Sequence, residues 1–310
     1  MRMNRLGNSD LVVSAVGAGT WAMGGDFFGA IHDKKCIDSL CASLDHGVNL
    51  IDTAPIYGKG HSGTLVGQAI KGRRDKVVLC TKVGLLFDDP KGRQGKCLQP
   101  DSIEYEIEQS LRRLGTDYID IYYTHNPCCP PFMTPYEETV GLLMDFKKEG
   151  KIRAIGAANM TTQEIEAYCR CGDIDIIQGR YSMLFQAPEN GILQMCQEKG
   201  MSFHAYQVLE RGILTGKITK DYVVPEGDAR EGDPWWTGEK FTKALQFVEE
   251  LKPIAQKYNC ALSNLALAYI RGQGDYINVI CGSRRVSQIE ETAKAGDLVL
   301  ESEDLQKIPE

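Results

Sequence analysis

Short apolar runs alternate with amphipathic stretches along almost the whole chain. Residues 2–13 are predicted to form a β-hairpin, because apolar segments flank the polar turn at residues 7–10. Beyond it, near-continuous apolar runs predict strands at residues 15–19, 48–51, 76–82, 119–125, 152–156, 175–178, 202–206 and 277–282. Apolar residues at helical spacing predict helices over residues 34–46, 62–70, 101–114, 135–149, from 161 onward, and over 188–199, 239–258, 262–271 and 286–295.

The composition of these strands indicates the fold class. Runs that are apolar almost throughout are buried on both faces, which is typical of a parallel sheet. About eight strand–helix units in 310 residues predict a closed (β/α)₈ TIM barrel that forms a single domain over residues 1–310. The hairpin would close the bottom of this barrel, and the long irregular stretch near residues 216–238 would lie at its C-terminal face. An open doubly wound sheet is the alternative, but it would leave a domain boundary that the sequence lacks.

One glycine motif suggests a different fold. Gly17, Gly19 and Ala22 match the loose dinucleotide fingerprint G-x-G-x-x-A. That fingerprint requires a helix to begin at once, so that the helix N-terminus meets the pyrophosphate. Here the chain continues through the loop-like residues 24–29, and we interpret the match as accidental.

Composition and charge narrow the functional class. The chain is 43% hydrophobic and 25% charged, which is ordinary for a globular protein, and its net charge of −7 argues against a nucleic-acid partner. It has no run of about 18 apolar residues and no apolar signal core at residues 1–7, so we expect a cytoplasmic protein without a membrane partner. The 11 cysteines lack paired C-x-x-C spacing, which predicts reduced structural thiols and no metal site. A redox or metal role for the pairs Cys128–Cys129 and Cys169/Cys171 stays open.

Ionisable residues follow three consecutive predicted strands. Asp52, Lys82 and His125 each lie at the carboxyl end of a strand, and Tyr57 comes one turn after Asp52. All strands of a barrel open on the same face at that end, so the four side chains should converge. Taken singly, each has a structural explanation, such as a core histidine or a solvated lysine.

The four groups together predict acid–base chemistry at a carbonyl. A free phenol has a pKa near 10, and a neighbouring ammonium lowers it. With Asp52 holding Lys82 in place, Tyr57 becomes a general acid that can protonate a carbonyl oxygen. His125, as a neutral imidazole, would orient the same oxygen. Side chains cannot supply the hydride that this reaction needs, which implies a nicotinamide cofactor.

Motifs along nearly the whole chain carry a family resemblance. They are Gly17–Trp21, Asp52–Gly58, Lys82, Leu114–Asp120 leading to His125, Gly150–Gly156, Gln178 with Tyr181, Arg211–Lys217, and Gly282–Arg284 with Gln288 and Glu291. With these motifs the chain resembles the aldo-keto reductase family, and most of all its bacterial general aldehyde and ketone reductases and inositol or aldose dehydrogenases.

The resemblance implies roles for particular residues. Asp52, Tyr57, Lys82 and His125 would be the catalytic tetrad. Cofactor contacts would come from Gly19, Thr20, Trp21, Asp52, Asn159, Gln178, Tyr206, Leu209, Gly212, Leu214, Gly216, Lys217, Gly282, Ser283, Arg284, Gln288 and Glu291. Because a guanidinium pairs with phosphate through two hydrogen bonds, Arg284 favours NADP(H), with NAD(H) as the alternative. Departures from the family pattern bear on that preference; they are Gly63, Ala158, Gln207, Val208, Cys281 and Thr292.

The substrate pocket should have aromatic walls. Its candidate residues are Trp21, Phe27, Phe28, Tyr57, Phe87, His125, Trp235 and Trp236. The two adjacent tryptophans either close the mouth as a lid or pack on the barrel rim. The predicted function is an NADP-dependent oxidoreductase that transfers a hydride between nicotinamide and an aldehyde or ketone, or a sugar or alcohol. The alternative is a non-catalytic nicotinamide-binding subunit that senses redox state.

Overall fold

Parallel strands closed into a barrel form the centre of the protein in a computed structural model, which describes residues 1–305 and 308. Numbered along the chain, the strands are β1 Met3–Arg5, β2 Val12–Ser14, β3 Val16–Gly19, β4 Leu50–Asp52, β5 Val78–Val83, β6 Leu85–Leu86, β7 Gly95–Lys96, β8 Ile119–Thr124, β9 Ile152–Ala158, β10 Ile176–Arg180, β11 Ser202–Tyr206 and β12 Ile277–Gly282. The barrel order is β3-β4-β5-β8-β9-β10-β11-β12. Val279 of β12 pairs with Val16 of β3 and completes the ring.

Helices follow most of the barrel strands. They are α1 Asp33–Asp45, α2 His61–Ile70, α3 Pro100–Leu114, α4 Tyr136–Lys148, α5 Thr162–Cys171, α6 Ile192–Lys199, α7 Gly238–Lys257, α8 Leu262–Arg271, α9 Val286–Thr292 and α10 Ser302–Leu305. Over the described residues, none of them combines the length and apolar character that crossing a membrane requires. The alternation of strand and helix around a closed ring confirms the predicted (β/α)₈ barrel.

The amino-terminal hairpin closes one end of the barrel, as predicted. Strands β1 and β2 pair antiparallel, and the Gly7 amide in their turn donates to Ser202 Oγ at the start of β11, at 2.7 Å. Leu6 and Leu11 are buried in one cluster with Leu50 and Ile176, which lie at the beginnings of β4 and β10. Burial of these side chains removes apolar surface from water and fixes the hairpin against the floor of the barrel.

The first glycine-rich loop does not open a helix of the Rossmann type. After β3 the chain makes only a 3₁₀ turn over Trp21–Met23 and then a loop. This loop touches the one that carries Tyr57: a Cβ added to Gly24 would lie 2.5 Å from the Gly58 nitrogen, and one added to Gly58 would lie 2.3 Å from the Gly24 oxygen. Only glycine fits at both positions, and Gly58 also has a positive φ of 62°.

The structure differs from the sequence prediction in a few elements. The pattern did not predict the short hairpin of β6 and β7, because two-residue strands show no alternation of apolar and polar residues. The helix predicted over 188–199 is divided into a 3₁₀ turn and α6 by Gly191, which has a φ of 105°. The helix predicted over 286–295 ends at Thr292 and continues as a 3₁₀ turn.

Candidate active site

The four predicted ionisable residues meet at the carboxyl end of the barrel. Lys82 Nζ donates to both carboxylate oxygens of Asp52, at 2.7 and 2.9 Å, and to the Thr53 carbonyl at 3.0 Å. The same nitrogen lies 3.3 Å from the Tyr57 hydroxyl. The ring centroids of Tyr57 and His125 are 6.1 Å apart, with the rings nearly perpendicular. An acid, an ammonium, a phenol and an imidazole thus share one small volume.

The strands set these positions through their backbone. Asp52 is the last residue of β4 and Lys82 is the fifth of the six residues of β5, while His125 directly follows β8. The His125 amide donates to the Val83 carbonyl at 2.9 Å, which extends the sheet ladder by one step. Because neighbouring parallel strands end together, side chains 30 and 43 residues apart in sequence (Asp52 to Lys82, and Lys82 to His125) arrive at one face.

Lys82 is charged in this environment. Burial alone would lower the pKa of its ammonium, but the Asp52 carboxylate and the Tyr57 oxygen raise that pKa above its usual range. Only 1% of Lys82 and 4% of Asp52 is exposed to solvent. The two residues therefore form a buried salt bridge that keeps the Lys82 ammonium charged.

The pKa of Tyr57 differs from the prediction. Lys82 does act to lower the pKa of the phenol, but burial raises it more strongly, and the Asp52 charge raises it further. The net shift is upward, so the expectation of a lowered phenol pKa is wrong in sign. The consequence is that Tyr57 keeps its proton at neutral pH, beside a cation that can stabilise the phenolate once the proton leaves.

His125 is neutral, as predicted. Burial lowers the pKa of its imidazole well below the usual value, and the nearby ammonium groups of Lys82 and Lys96 lower it further. Lys96 lies on β7, the strand of the hairpin that the sequence did not reveal. A neutral imidazole can donate a hydrogen bond to a substrate oxygen without competing for its proton.

Three predicted cofactor residues are hydrogen-bonded into this cluster. Gln178 Nε2 donates to Asp52 Oδ2 at 2.9 Å, and Asn159 Nδ2 donates to the His125 carbonyl at 2.9 Å. The Tyr206 hydroxyl donates to Asn159 Oδ1 at 2.7 Å. Asn159 has a positive φ of 60°, a conformation that costs energy in residues other than glycine and often marks functional sites. Asn159, which directly follows β9, and side chains of β10 and β11 thus join the tetrad in one polar network.

The segment after β11 is held in an unusual conformation. Gln207, Glu210 and Arg211 all have positive φ, and the predicted cofactor residue Gly212 follows them at 116°. Glu210 is buried and accepts hydrogen bonds from the Arg180 guanidinium and, at 2.5 Å, from Ser182 Oγ. Sequence reasoning missed this ion pair. Its available signal was the position of Arg180 at the end of β10, two residues beyond Gln178.

The residues predicted to bind the adenosine end lie together after β12. Gln288 Oε1 accepts from the Arg284 amide at 3.0 Å, and Ser263 Oγ donates to Glu291 Oε1 at 2.7 Å. Lys217 Nζ approaches Glu291 Oε2 at 3.6 Å. The structure therefore brings Lys217, from the segment that the resemblance places over the pyrophosphate, close to the predicted adenosine residues 283–291. Their roles in binding stay a prediction.

The structure assembles only part of the predicted aromatic wall. Trp21 and Phe28 pack edge to face with ring centroids 4.9 Å apart. Phe27 is 48% exposed, and its carbonyl accepts from the Ala229 amide at 2.8 Å. The ring of Phe87 packs against the Arg113 guanidinium on α3.

Trp236 lies in a buried apolar cluster with residues of α7. It is 5% exposed and packs between Tyr222 and Phe241, with the Arg230 guanidinium over its ring. This packing favours a place on the barrel rim over a mobile lid, and a role for Trp236 in the substrate pocket stays a prediction. The neighbouring Trp235 is half-buried, and Lys240 lies over its ring.

The irregular stretch at residues 216–238 is tied to the site by Arg211. Arg211 Nη1 donates to the Ala229 carbonyl at 2.6 Å and to Asp233 Oδ2 at 2.9 Å, and its guanidinium lies over the Trp21 ring. The eleven cysteines are free thiols in the described chain. No group of three or more His, Cys, Asp or Glu side chains suited to a metal ion occurs in residues 1–305 and 308.

Comparison with known proteins gives the family. The model of the Aldo/keto reductase family matches residues 15–310. The chain is 42% identical to the NADH-specific methylglyoxal reductase of Escherichia coli, over 98% of this chain and 96% of that protein. It is 34% identical to the aldo-keto reductase YhdN of Bacillus subtilis, over 99% and 92%.

Solved structures agree with the sequence comparison. The glycerol dehydrogenase AKR11B4 of Gluconobacter oxydans superposes with a TM-score of 0.90 at 31% identity, covering 99% of this chain and 93% of that one. An aldo/keto reductase of Klebsiella pneumoniae in complex with NADP and acetate superposes with a TM-score of 0.78 at 27% identity, with the same coverage.

Proposed function

The chain belongs to the aldo/keto reductase family, and on that premise we propose that it transfers a hydride between NADP(H) and an aldehyde or ketone, or the corresponding alcohol. Tyr57 serves as the general acid in reduction and as the base in oxidation. The observation that carries the proposal is the single contact of 3.3 Å between Lys82 Nζ and the Tyr57 hydroxyl, with Asp52 fixing the lysine.

The tetrad handles the proton of the reaction. In reduction, the Tyr57 hydroxyl gives its proton to the carbonyl oxygen as hydride reaches the carbon, and a phenolate remains. Lys82 stabilises that phenolate, because an opposite charge within hydrogen-bond distance favours the ionised form. His125 donates a hydrogen bond to the same oxygen and orients it. In oxidation the same proton returns from the alcohol to the phenolate.

The residues after β12 fit a dinucleotide. Ser283 is 3% exposed, and its Oγ is buried without a hydrogen-bond partner in the described chain, as expected for a donor whose acceptor is a ligand. Ser283, Arg284 and Gln288 would hold the adenosine ribose and its phosphate, while Asn159, Gln178 and Tyr206 would hold the nicotinamide. The cofactor supplies the hydride. We propose NADP(H) as the preferred form because of Arg284, with NADH also used, as the name of the Escherichia coli relative suggests.

The substrate we propose is a small carbonyl compound. The two relatives named for methylglyoxal and glycerol act at three-carbon skeletons. In this chain, Trp21 and Phe28 pack together and would wall one side of the mouth, and the Phe27–Ala229 and Arg211–Asp233 hydrogen bonds would hold the irregular stretch near it. A mouth restricted in this way favours short aldehydes and 2-oxoaldehydes over bulky ketones.

The test is turnover of reduced nicotinamide with a panel of short and long aldehydes, ketones and 2-oxoaldehydes. Wild-type protein should oxidise NADPH with the short members, and Tyr57→Phe should lose at least about 10²-fold in kcat while still binding NADPH. Tyr105→Phe on α3 is the matched control and should keep full activity. Unchanged turnover in Tyr57→Phe would refute the role of the phenol. Tight NADPH binding without turnover of any panel member would favour the non-catalytic alternative.

A further inference from the structure

One side chain connects the predicted adenosine site to the aromatic wall of the mouth. Arg284 Nη1 donates to the Phe28 carbonyl at 2.8 Å, across 256 residues of sequence. Phe28 in turn packs edge to face on Trp21. The residue that the resemblance assigns to the phosphate of the cofactor therefore also holds the loop that forms the substrate wall.

The guanidinium has donors left for a second acceptor. An arginine presents five N–H groups in a planar fork, and phosphate is bound best by two parallel bonds from one edge of that fork. In the described chain the Arg284 side chain makes one hydrogen bond, from Nη1 to Phe28. Its Nε edge therefore stays available, and one arginine can bond the Phe28 carbonyl and a phosphate at the same time.

The loop that carries Phe28 depends on few such contacts. Gly25 and Gly29 frame it with positive φ, and a Cβ at Gly29 would meet no atom within 4 Å. Among the described residues, three hydrogen bonds join this loop to the rest of the chain: the Gly58 amide donates to Asp26 Oδ2 at 2.9 Å, the Ala229 amide donates to the Phe27 carbonyl, and Arg284 donates to the Phe28 carbonyl. Making or breaking one of these three hydrogen bonds therefore changes how well the loop that carries Phe28 is ordered.

We propose that Arg284 is a positioning residue that couples the adenosine end of the cofactor to the substrate wall. A 2′-phosphorylated adenosine nucleotide orders the guanidinium, and the guanidinium then orders the loop through the Phe28 carbonyl. Nucleotides without that phosphate leave the tie weaker. The inference rests on the proposed function for the identity of the ligand, but its main test needs no turnover.

The test uses two fragments of the cofactor, adenosine 2′,5′-bisphosphate and adenosine 5′-monophosphate, each at a concentration that calorimetry shows to be saturating. Hydrogen exchange is followed at the amides of residues 26–30. In wild type we expect exchange to be at least about fivefold slower with the bisphosphate than with the monophosphate, the low end of measured coupling between sites. Arg284→Met should abolish the difference. Arg285→Met, the neighbouring arginine with an exposed side chain, should preserve it.

A charge-preserving variant separates the tie from simple phosphate attraction. Arg284→Lys keeps a cation for the phosphate but carries all its donors on one nitrogen, so it cannot reach two acceptors that lie on different edges of a guanidinium. It should therefore bind the bisphosphate and still lose most of the added protection. Equal protection by both fragments in wild type would overturn the proposal. So would protection that survives in Arg284→Met, or failure of the bisphosphate to bind at millimolar concentration.

Steady-state kinetics give a second measurement, which distinguishes failure of the proposed function from failure of the coupling. The KM of the carbonyl substrate should be lower with NADPH than with NADH, and the ratio should approach one in Arg284→Met but not in Arg285→Met. If no carbonyl compound is turned over, the proposed function fails while the exchange experiment still decides the coupling. If turnover is normal and both the KM ratio and the exchange are insensitive to Arg284, only the coupling is wrong.

Discussion

Replacing Lys82 by methionine should separate the structural and chemical roles of the buried ion pair. Methionine keeps much of the side-chain volume but removes the charge that contacts Asp52 and Tyr57. In this variant the Asp52 carboxylate stays buried, with Gln178 as its remaining side-chain donor in the described chain. Breaking a buried pair by removing one partner typically costs about 3–5 kcal/mol, because an uncompensated charge remains. For a chain of this length that loss lowers Tm by about 5–8 °C.

The effect on rate can be worked from the contact distance. Two unit charges 3.3 Å apart interact by about 5 kcal/mol at an effective dielectric constant of 20, which is the scale of what the phenolate of Tyr57 gains from Lys82. The Asp52 carboxylate offsets part of this gain. We therefore expect kcat to fall by about 10²–10³-fold in Lys82→Met. NADPH binding should change much less, because the hydrogen bonds of Lys82 in the described chain go to Asp52, Thr53 and Tyr57, and the residues proposed to hold the adenosine lie elsewhere.

The double variant Asp52→Asn/Lys82→Met is the control. It removes both charges, so most of the lost stability should return, while the activity should stay as low as in Lys82→Met. Stability is measured by thermal unfolding followed by circular dichroism, and activity by absorbance of reduced nicotinamide. The reasoning fails if the double variant is no more stable than Lys82→Met, or if Lys82→Met keeps more than about a tenth of wild-type kcat.

Three further substitutions test the fold. Burial lowers the pKa of His204 to about 3. Below pH 6.5 the unfolded chain therefore binds a proton at this residue that the folded chain does not bind, and the folded state loses stability as the pH falls. His204→Gln should reduce the slope of that loss by about 1.4 kcal/mol per pH unit. Gly58→Ala should cost about 2–4 kcal/mol, against about 1 kcal/mol for Gly227→Ala, where only the positive φ opposes a side chain. Trp236→Ala should cost about 3–5 kcal/mol, and Trp235→Ala less than half of that.

Each of these has a simple measurement. Urea unfolding at pH 4.5, 5.5 and 6.5 gives the His204 slope, and an unchanged slope would contradict the burial argument. Equal losses in Gly58→Ala and Gly227→Ala would show that the close contact between the two loops is unimportant. If Trp235→Ala proved the more costly tryptophan variant, the assignment of Trp236 to the cluster under α7 would be wrong.

The positions of the tetrad could be predicted because they depend on topology alone. Asp52, Lys82 and His125 follow consecutive strands, and the ends of parallel strands coincide whatever the details of packing. The sign of the Tyr57 pKa shift could not be predicted, because it depends on whether burial or the lysine contributes more. That balance requires coordinates.

Contacts between distant loops were beyond the reach of sequence patterns. Nothing in the periodicity indicates that Arg180 pairs with Glu210, or that Arg284 reaches Phe28, since charged residues in loops are usually solvated. Two adjacent tryptophans look alike in sequence, and it is the fold, which brings Tyr222 and Phe241 against one of the two rings, that makes Trp236 the buried one.

The hairpin at the amino-terminal end has a kinetic consequence. Since Leu6 and Leu11 are buried at that end, the cofactor and substrate of the proposed reaction would both enter from the opposite end, where Lys82 contacts Tyr57. Whichever ligand sits deeper has to arrive first and leave last, so product inhibition should follow the pattern of a compulsory-order reaction. We therefore expect release of the ligands from this end of the barrel to be the step that limits turnover.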